Sequence, residues 1–444
     1  MKSISLFACG GIGDLALRHA GFDVLVANEL VAERAEVFRY NYPEAHMIVG
    51  DIWKLKSSIV SEAKRLAKGL PIDLVFATPP CQGMSKNGRG KLLNSVRKGE
   101  KNAIDPRNLL VIPTIEIFLA SGAHTLVMEN VPEMEYTCIP DPKKNGELTS
   151  IIDYIKREIG KDFSSCVRVV EFADYGVPQS RQRLISIFTI HERLASFFQK
   201  SNTLIPPKSH CREGGRLPKW RTLRNAIGHT PPLDASTKKS AVNPNLLFHS
   251  VPILDDEKYF WVRNTPEEKG AFDNQCVNPS CLYQGNPTHF ASKDLEGINR
   301  ASTDTPIRCS KCGELLPRPW VRDGSSYRLM KGFTSAYKRM RWDMPAPTLT
   351  RNLSYACSDN KLHPTQNRVL SLHEAMILHT VADYDFFWKR NDGKNVSDKL
   401  IRELIGESIP PAGLEKIFQF INSIANGTIE YKDEREDEEQ MALF

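Results

Sequence analysis

Short apolar runs recur along the first part of the chain, at residues 4–7, 24–27, 47–49, 74–77 and 125–128. Between them, residues 32–40, 58–66 and 109–119 read as helices. Apolar strand-length runs alternating with helical stretches predict βαβ units, hence an α/β fold whose parallel sheet is covered on both faces. The pattern breaks at about 195 and returns at about 341; the stretch between is rich in Pro, Asn and Lys with few periodic runs. The expected organisation is therefore a main domain in two parts, 1–194 and 341–428, a smaller irregular domain at 195–340, and an acidic tail at 429–444.

Each apolar run ends in chemically loaded residues: Cys9-Gly10-Gly11, Asn28-Glu29, Gly50-Asp51, Pro80-Cys81 and Glu129-Asn130. Ligands of open α/β sheets bind outside the carboxyl ends of the strands, so Glu29, Asp51, Cys81 and Glu129 are expected to converge on one crevice. The first turn, FACGGIGD, is glycine-rich but lacks the G-x-G-x-x-G spacing that wraps a pyrophosphate. A carboxylate at Glu29 suits two ribose hydroxyls, and one at Asp51 suits an adenine amino group. A nucleoside without phosphates fits these parts, and S-adenosylmethionine is the common one. The alternative is that both acids simply cap the helices that follow.

Cys81 stands after Pro79-Pro80 and before Gln82-Gly83 at the mouth of a strand. Beside a methyl donor, a thiolate fixed there is a nucleophile. Its attack on C6 of a cytosine makes C5 an enamine carbon able to take a methyl group. Glu129 is the group that holds or supplies a proton at N3. A free cysteine near a strand end is otherwise a small buried hydrophobe; the prolines before it and the polar pair after it argue against plain packing.

With these residues in view, the chain resembles the cytosine-5 DNA methyltransferase family, prokaryotic or phage type. LFACGGIGDLALRHAGF is similar to the family's cofactor loop and first helix, ANE and GDI to its ribose and adenine contacts, PPCQGMS to its nucleophile motif and MENVPE to its glutamate motif. DPRNL, ADYGVPQSRQRLISI, APTLT, HPTQNRVLSLHEAMIL and GESIPP resemble further motifs, in the family's order, over residues 1–190 and about 340–425. The resemblance implies a Rossmann-like S-adenosylmethionine-dependent sheet with a smaller, irregular target-recognition domain in the middle of the chain. It implies Cys81 as nucleophile, Glu129 at N3, and Arg181 and Arg183 facing the target base and its phosphate. It further implies cofactor contacts from Phe7, Gly10, Gly11, Glu29, Asp51, Ile52 and Pro80, and substrate contacts from Gln82, Ser85 and Gln179. Double-stranded DNA is the implied partner, with host protection or restriction-modification as the role and a cognate restriction endonuclease as an associate. Three departures from the family pattern stand out, the first covering two positions. Cys9 and Ile12 stand where glycines are usual, so Gly10 and Gly13 are expected to shift the tight turn; Val31 replaces an acid; and Glu407 replaces an asparagine. A tRNA cytosine-5 methyltransferase and a catalytically silent binding module of the same fold are the rival readings.

Composition adds bounds. The 444 residues are 41% hydrophobic and 25% charged, with a net charge of +6, which permits a nucleic-acid partner without demanding one. No apolar run is long enough to span a membrane, and the N-terminus lacks a signal-peptide pattern, so a cytoplasmic, nucleoid-associated monomer is expected. Residues 83–103 carry six Lys or Arg against the single acid Glu100, the composition of a basic lid over a flipped nucleotide, or else of an ordinary solvated run. Cys276-x4-Cys281 and Cys309-x2-Cys312 read as four thiolates for a structural Zn2+, with four unmetallated thiols as the alternative and His289 outside the set. From Arg308 to Arg351, ten Lys or Arg stand against three acids, with Trp320, Tyr327, Phe333, Tyr337 and Trp342 among them. This mixture suits a groove-facing surface, although most of the aromatics are expected in the small domain's core. The acidic run 430–439 precedes a terminal QMALF, similar to the peptide by which bacterial proteins dock on the sliding clamp, with Gln440, Leu443 and Phe444 at the matching positions. A frayed terminus is the bland alternative.

Overall fold

The computed structural model describes residues 1–80, 105–288, 291–293, 299–301, 305–330, 335–358 and 360–431. Seven strands form the central sheet: β1 (Lys2–Leu6), β2 (Asp23–Glu29), β3 (His46–Val49), β4 (Leu74–Ala77), β5 (Thr125–Asn130), β6 (Ser164–Glu171) and β7 (Gln182–Thr189). Their spatial order is β3-β2-β1-β4-β5-β7-β6. The first five are mutually parallel, and β7 runs antiparallel to both β5 and β6. β6 is thus parallel to β5, and its carboxyl end lies on the same edge of the sheet as those of β1, β2, β4 and β5. The five predicted runs are all strands, and two of them extend past their apolar residues. Glu29 pairs with Val49, and Glu129 with Ile185, so both acids are ladder residues and not loop residues.

One face of the sheet is covered by α3 (Ile52–Ala67) and α4 (Val111–Ser121), whose Ile59, Ala63, Ile115 and Phe118 pack on Ile4, Val75 and Leu126. The other face holds α1 (Asp14–His19) and the last helix, α11 (Pro411–Ala425). Phe418 of α11 meets Phe76 of β4 edge-on at 5.2 Å and Phe22 at 5.9 Å. The closing part of the chain therefore completes the core that the first part begins.

A second core gathers Leu233, Val251, Trp261, Phe272, Trp320, Tyr337, Leu362 and Val369. The expected opening of the small domain at 195 falls earlier than this. The helix Glu192–Ser201, Leu204 and the short helix Leu223–Ile227 still pack into the large core, with Phe197 edge-on to Phe420 at 5.6 Å. The expected close at 340 is also passed, since Ala356, Leu362 and Val369 belong to the second core. Buried ions tie this irregular region together. Arg339 donates to the carbonyls of Thr265, His363, Gln366 and Val262 at 2.6–2.9 Å. Arg368 and Glu374, both fully buried, form a bidentate pair at 2.7 and 2.8 Å. Irregular backbone leaves carbonyls without ladder partners, and guanidinium forks satisfy several at once. The basic run 308–351 is therefore partly interior: Arg318 and Arg339 are buried, as are Trp320 and Tyr337. Phe333 lies outside the described residues.

Candidate active site

At the carboxyl edge, the chain leaving β1 makes a tight loop. Phe7, Cys9 and Gly11 all adopt left-handed backbone, with φ of 59°, 53° and 86°. The expected shift of the turn onto Gly10 and Gly13 does not occur; Cys9 itself takes the left-handed position, and Gly13 is right-handed at φ −67°. The strain of an L-residue there, about 1–2 kcal/mol, is opposed by a hydrogen bond from the Cys9 N–H to Glu29 Oε2 at 2.8 Å. Gly11 is required for a second reason. A Cβ there would lie 2.4 Å from Tyr42, whose hydroxyl donates to the Gly11 carbonyl at 2.6 Å. Burial pushes the Cys9 thiol up to about 12, with Arg34 opposing and Glu29 and Glu407 adding, so this cysteine stays neutral at physiological pH.

Glu29 is the clip of this corner. Its Oε2 accepts from Cys9 and its Oε1 from the Val31 N–H at 2.8 Å. Asp51 Oδ1 accepts from the Trp53 N–H at 3.0 Å and caps α3. The capping alternative thus holds for Asp51, and Glu29 holds backbone on both sides of itself. Each carboxylate oxygen has a second lone pair, so these bonds leave both groups able to accept a ligand's hydroxyl or amino hydrogens. Leu30 and Trp53, which sequence reasoning passed over, are exposed apolar side chains following these acids. Glu407, at the position where asparagine is usual, has a partner: its Oε2 is 2.7 Å from Arg34 Nη1. Arg34 sits on the helix after Glu29, so this pair joins the cofactor corner to the closing helix Asp398–Glu407.

The nucleophile segment is anchored from two sides up to Pro80. Asn130 Nδ2 donates to the Pro79 carbonyl at 3.0 Å, while its Oδ1 accepts from Val131. Thr78 Oγ1 donates to the Phe7 carbonyl at 3.1 Å. Cys81, Gln82, Ser85 and the basic run 83–103 lie outside the described residues.

Glu129 and Arg183, on adjacent antiparallel strands, form an ion pair with Oε1 2.6 Å from Nε, each side chain 12% exposed. Arg181 and Gln179 sit differently from their expected places against base and substrate. Arg181 is 2% exposed and donates to the Leu349 carbonyl at 3.1 Å and the Ser408 carbonyl at 2.6 Å. Gln179 is fully buried; its Oε1 accepts from the Leu349 N–H, and its Nε2 lies 3.2 Å from His379 Nδ1. That amide N–H makes Nδ1 an acceptor, which puts the imidazole proton on Nε2, 2.9 Å from Ser408 Oγ. Burial, with the charges of Arg181 and Arg183 adding, holds His379 well below its ordinary value and hence neutral. Arg183 thus pairs with Glu129, while Gln179 and Arg181 bond to the closing segment at Leu349, His379 and Ser408.

Away from this edge, the four cysteine sulfurs of the small domain lie within 4.8 Å of one another. Cys276 and Cys312 are 3.7 Å apart, and Cys281 and Cys309 are 3.9 Å apart. Tetrahedral ligation at a Zn–S distance of about 2.3 Å requires sulfur–sulfur edges of about 3.8 Å. Against burial, the N–H groups of Cys312 and Lys311 and the Asn286 amide hold the Cys309 thiol down at about 6. Four thiols this close, one already inclined to ionise, fit a divalent soft-ligand metal. His289 lies outside the described residues.

A family model described as C-5 cytosine-specific DNA methylase matches residues 1–423. The Type II methyltransferase M1.HgaI of Avibacterium volantium is 27% identical over 426 residues, covering 94% of this chain and 97% of its own. The Type II methyltransferase M.AquIA of Picosynechococcus sp. is 32% identical over 240 residues, covering 52% of this chain and 89% of its own. The crystal structure of a prophage-encoded DNA modification methyltransferase (E. coli) shares the fold, with a TM-score of 0.53 and 19% identity, over 96% of this chain and 99% of that one.

Proposed function

The chain belongs to the C-5 cytosine-specific DNA methylase family, and on that premise we propose a division of labour among its residues. It is a DNA (cytosine-5) methyltransferase with a restriction-modification role, and S-adenosylmethionine, when bound, supplies the methyl group. Cys81 attacks C6 of a cytosine rotated out of the duplex. Glu129 controls the proton at N3, so that charge does not build on the ring as the thiolate adds. Arg183 holds the Glu129 carboxylate in place. Gln179 and Arg181 act as positioning residues behind Arg183. The observation that carries this reading is the Glu129–Arg183 pair standing one residue before Asn130, the side chain that anchors the Pro79 carbonyl. Glu29 and Asp51 take the ribose and adenine, with Phe7, Gly10, Gly11, Ile52 and Pro80 completing the cofactor corner. Gln82 and Ser85 contact the flipped nucleotide. The test is mapping 5-methylcytosine in DNA from cells expressing the chain, with a parallel assay on tRNA. Methyl marks at one DNA sequence are expected; activity on tRNA alone would establish the rival substrate, and no activity on either the silent module.

The four-cysteine cluster binds one structural Zn2+, with no open position for substrate. Among the described residues no helix is long and apolar enough to cross a membrane; the enzyme works as a monomer on the nucleoid, beside a cognate endonuclease. Stripping the metal with a chelator is expected to abolish sequence-specific DNA binding and melt the small domain while cofactor binding survives, because the second core and the sheet are separate. Elemental analysis finding no zinc in the purified protein would refute the site.

Gln440, Leu443 and Phe444 lie outside the described residues. We infer from sequence that they dock on a bacterial sliding clamp, with the acidic run as tether, raising the local concentration of enzyme on newly made strands. A peptide of residues 430–444 is expected to bind purified clamp and to lose that binding when Leu443 and Phe444 become alanine. Affinity indifferent to that change would end the idea.

A further inference from the structure

We propose that residues 208–224 form a basic strap that grips the phosphate backbone of the duplex at the catalytic edge, a contact surface distinct from the small domain. The strap carries Lys208, Arg212, Arg216, Lys219, Arg221 and Arg224 against one acid, Glu213. All six cations are exposed.

A solvated charge run needs no fixed shape, but this one is pinned. Asp174 holds it with nearly every polar atom it has. Its carbonyl accepts the N–H groups of Ser209 at 3.0 Å and His210 at 2.9 Å, Oδ2 pairs with Lys208 at 2.9 Å, and Oδ1 accepts from Trp220 Nε1 at 2.8 Å. Within the strap, the Cys211 N–H donates to the Pro218 carbonyl and the Trp220 N–H to the Cys211 carbonyl, both at 2.9 Å, and Gly214 and Gly215 turn the chain at φ of 80° and 113°. The far end is fastened by the Leu223 N–H to the Met344 carbonyl at 2.8 Å and by Arg224 stacked over Trp342 at 5.1 Å. Between the fastenings, Arg212, Arg216 and Lys219 project from a preorganised turn. Arg212 touches Glu213 only at 3.9 Å, and among the described residues Arg216 and Lys219 have no salt bridge. Asp383 faces Arg221 at the strap's end and partly offsets it.

Position supplies the partner. Asp174 lies in the short helix Phe172–Tyr175 directly after β6, whose carboxyl end shares the edge that carries Glu129 and Arg183. A duplex presenting a flipped cytosine to that edge brings its phosphates there as well. Fixed, unpaired cations on that edge are the complement of a polyanion, and the contact is independent of sequence. The inference rests on the duplex-DNA reading above.

The test is binding of the full-length enzyme to a duplex lacking its recognition sequence, measured over a range of salt. For Arg212→Ala/Arg216→Ala/Lys219→Ala, the slope of log K against log salt is expected to become shallower by about 2–3, roughly 0.9 per lost phosphate contact. The KM for DNA rises, while kcat at saturating DNA, cofactor affinity and the methylated sequence stay unchanged. Lys64→Ala/Lys156→Ala/Lys161→Ala removes equal charge from helices and a loop on the opposite edge and is expected to leave the slope alone. An unchanged slope in the strap variant, or an equal change in both variants, overturns the strap. If the wild-type enzyme binds no duplex at all, the DNA reading itself falls, which is a separate outcome.

Discussion

Replacing Cys81 with alanine is expected to abolish methyl transfer while cofactor affinity stays close to that of the native enzyme. Cytosine C5 is a poor nucleophile until a thiolate adds at C6, and no other group of the site replaces that addition. Cys9 is the cysteine of the neighbouring cofactor loop, and its burial keeps it a neutral thiol. Removal of a nucleophile from a cooperating set typically costs about a millionfold in kcat, so residual activity should be indistinguishable from background. Cofactor binding survives because the anchors of the segment up to Pro80 are other residues. Thr78 still ties the segment to Phe7, Asn130 still holds Pro79, and Glu29 still clips Cys9. A methyl-transfer assay beside calorimetric titration of S-adenosylmethionine reads both halves. Turnover within tenfold of wild type would refute the covalent mechanism.

The first-half sheet was legible because buried parallel strands are short, continuous and apolar, and each ended in a functional residue. β6 and β7 were not among the predicted runs. β6 mixes exposed and buried positions, with Arg168 and Val169 open and Cys166 and Val170 inside. The four cysteines were legible from their spacing alone, since paired thiols close in sequence have few other uses. What composition concealed was burial of polar groups. Nothing local distinguishes Arg183, which faces Glu129, from Arg181 two residues earlier, which is swallowed by the carbonyls of Leu349 and Ser408. Their spacing of two gives both the same expected face, and only the arrival of a distant segment decides which one is covered. Gln179 and Arg339 are hidden for the same reason. Glu407 looked like a departure from pattern until its partner Arg34, remote in sequence, came into view. The strap was readable as a charge run, but its meaning depends on Asp174 standing at the catalytic edge, which topology supplies and sequence does not.

Glu129→Gln, which keeps the side chain's shape and removes its charge, is expected to lower the methyl-transfer rate by about 10²–10⁴, the usual reach of a positioned acid or base. Cofactor affinity should not move, because Glu29 is on another strand and Asp51 caps a helix. Arg183→Ala should cost a comparable factor for a different reason. It leaves Glu129, 9% exposed, without its 2.6 Å counter-charge. A carboxylate stranded in that way loses the partner that fixes its orientation. The double variant therefore discriminates between roles. If Arg183 works by holding Glu129, then Arg183→Ala in the Glu129→Gln background should add little, and the two losses will be strongly non-additive. If instead the losses multiply, Arg183 acts on the substrate directly, through base or phosphate. Single-turnover rates at saturating cofactor and DNA give the numbers. Lysine at 183 should restore part of the rate when Glu129 is present and little in the Glu129→Gln background, because it returns the charge without the guanidinium's planar fork. A lysine that restores the rate equally in both backgrounds would sink the holding role and leave Arg183 as a contact to DNA.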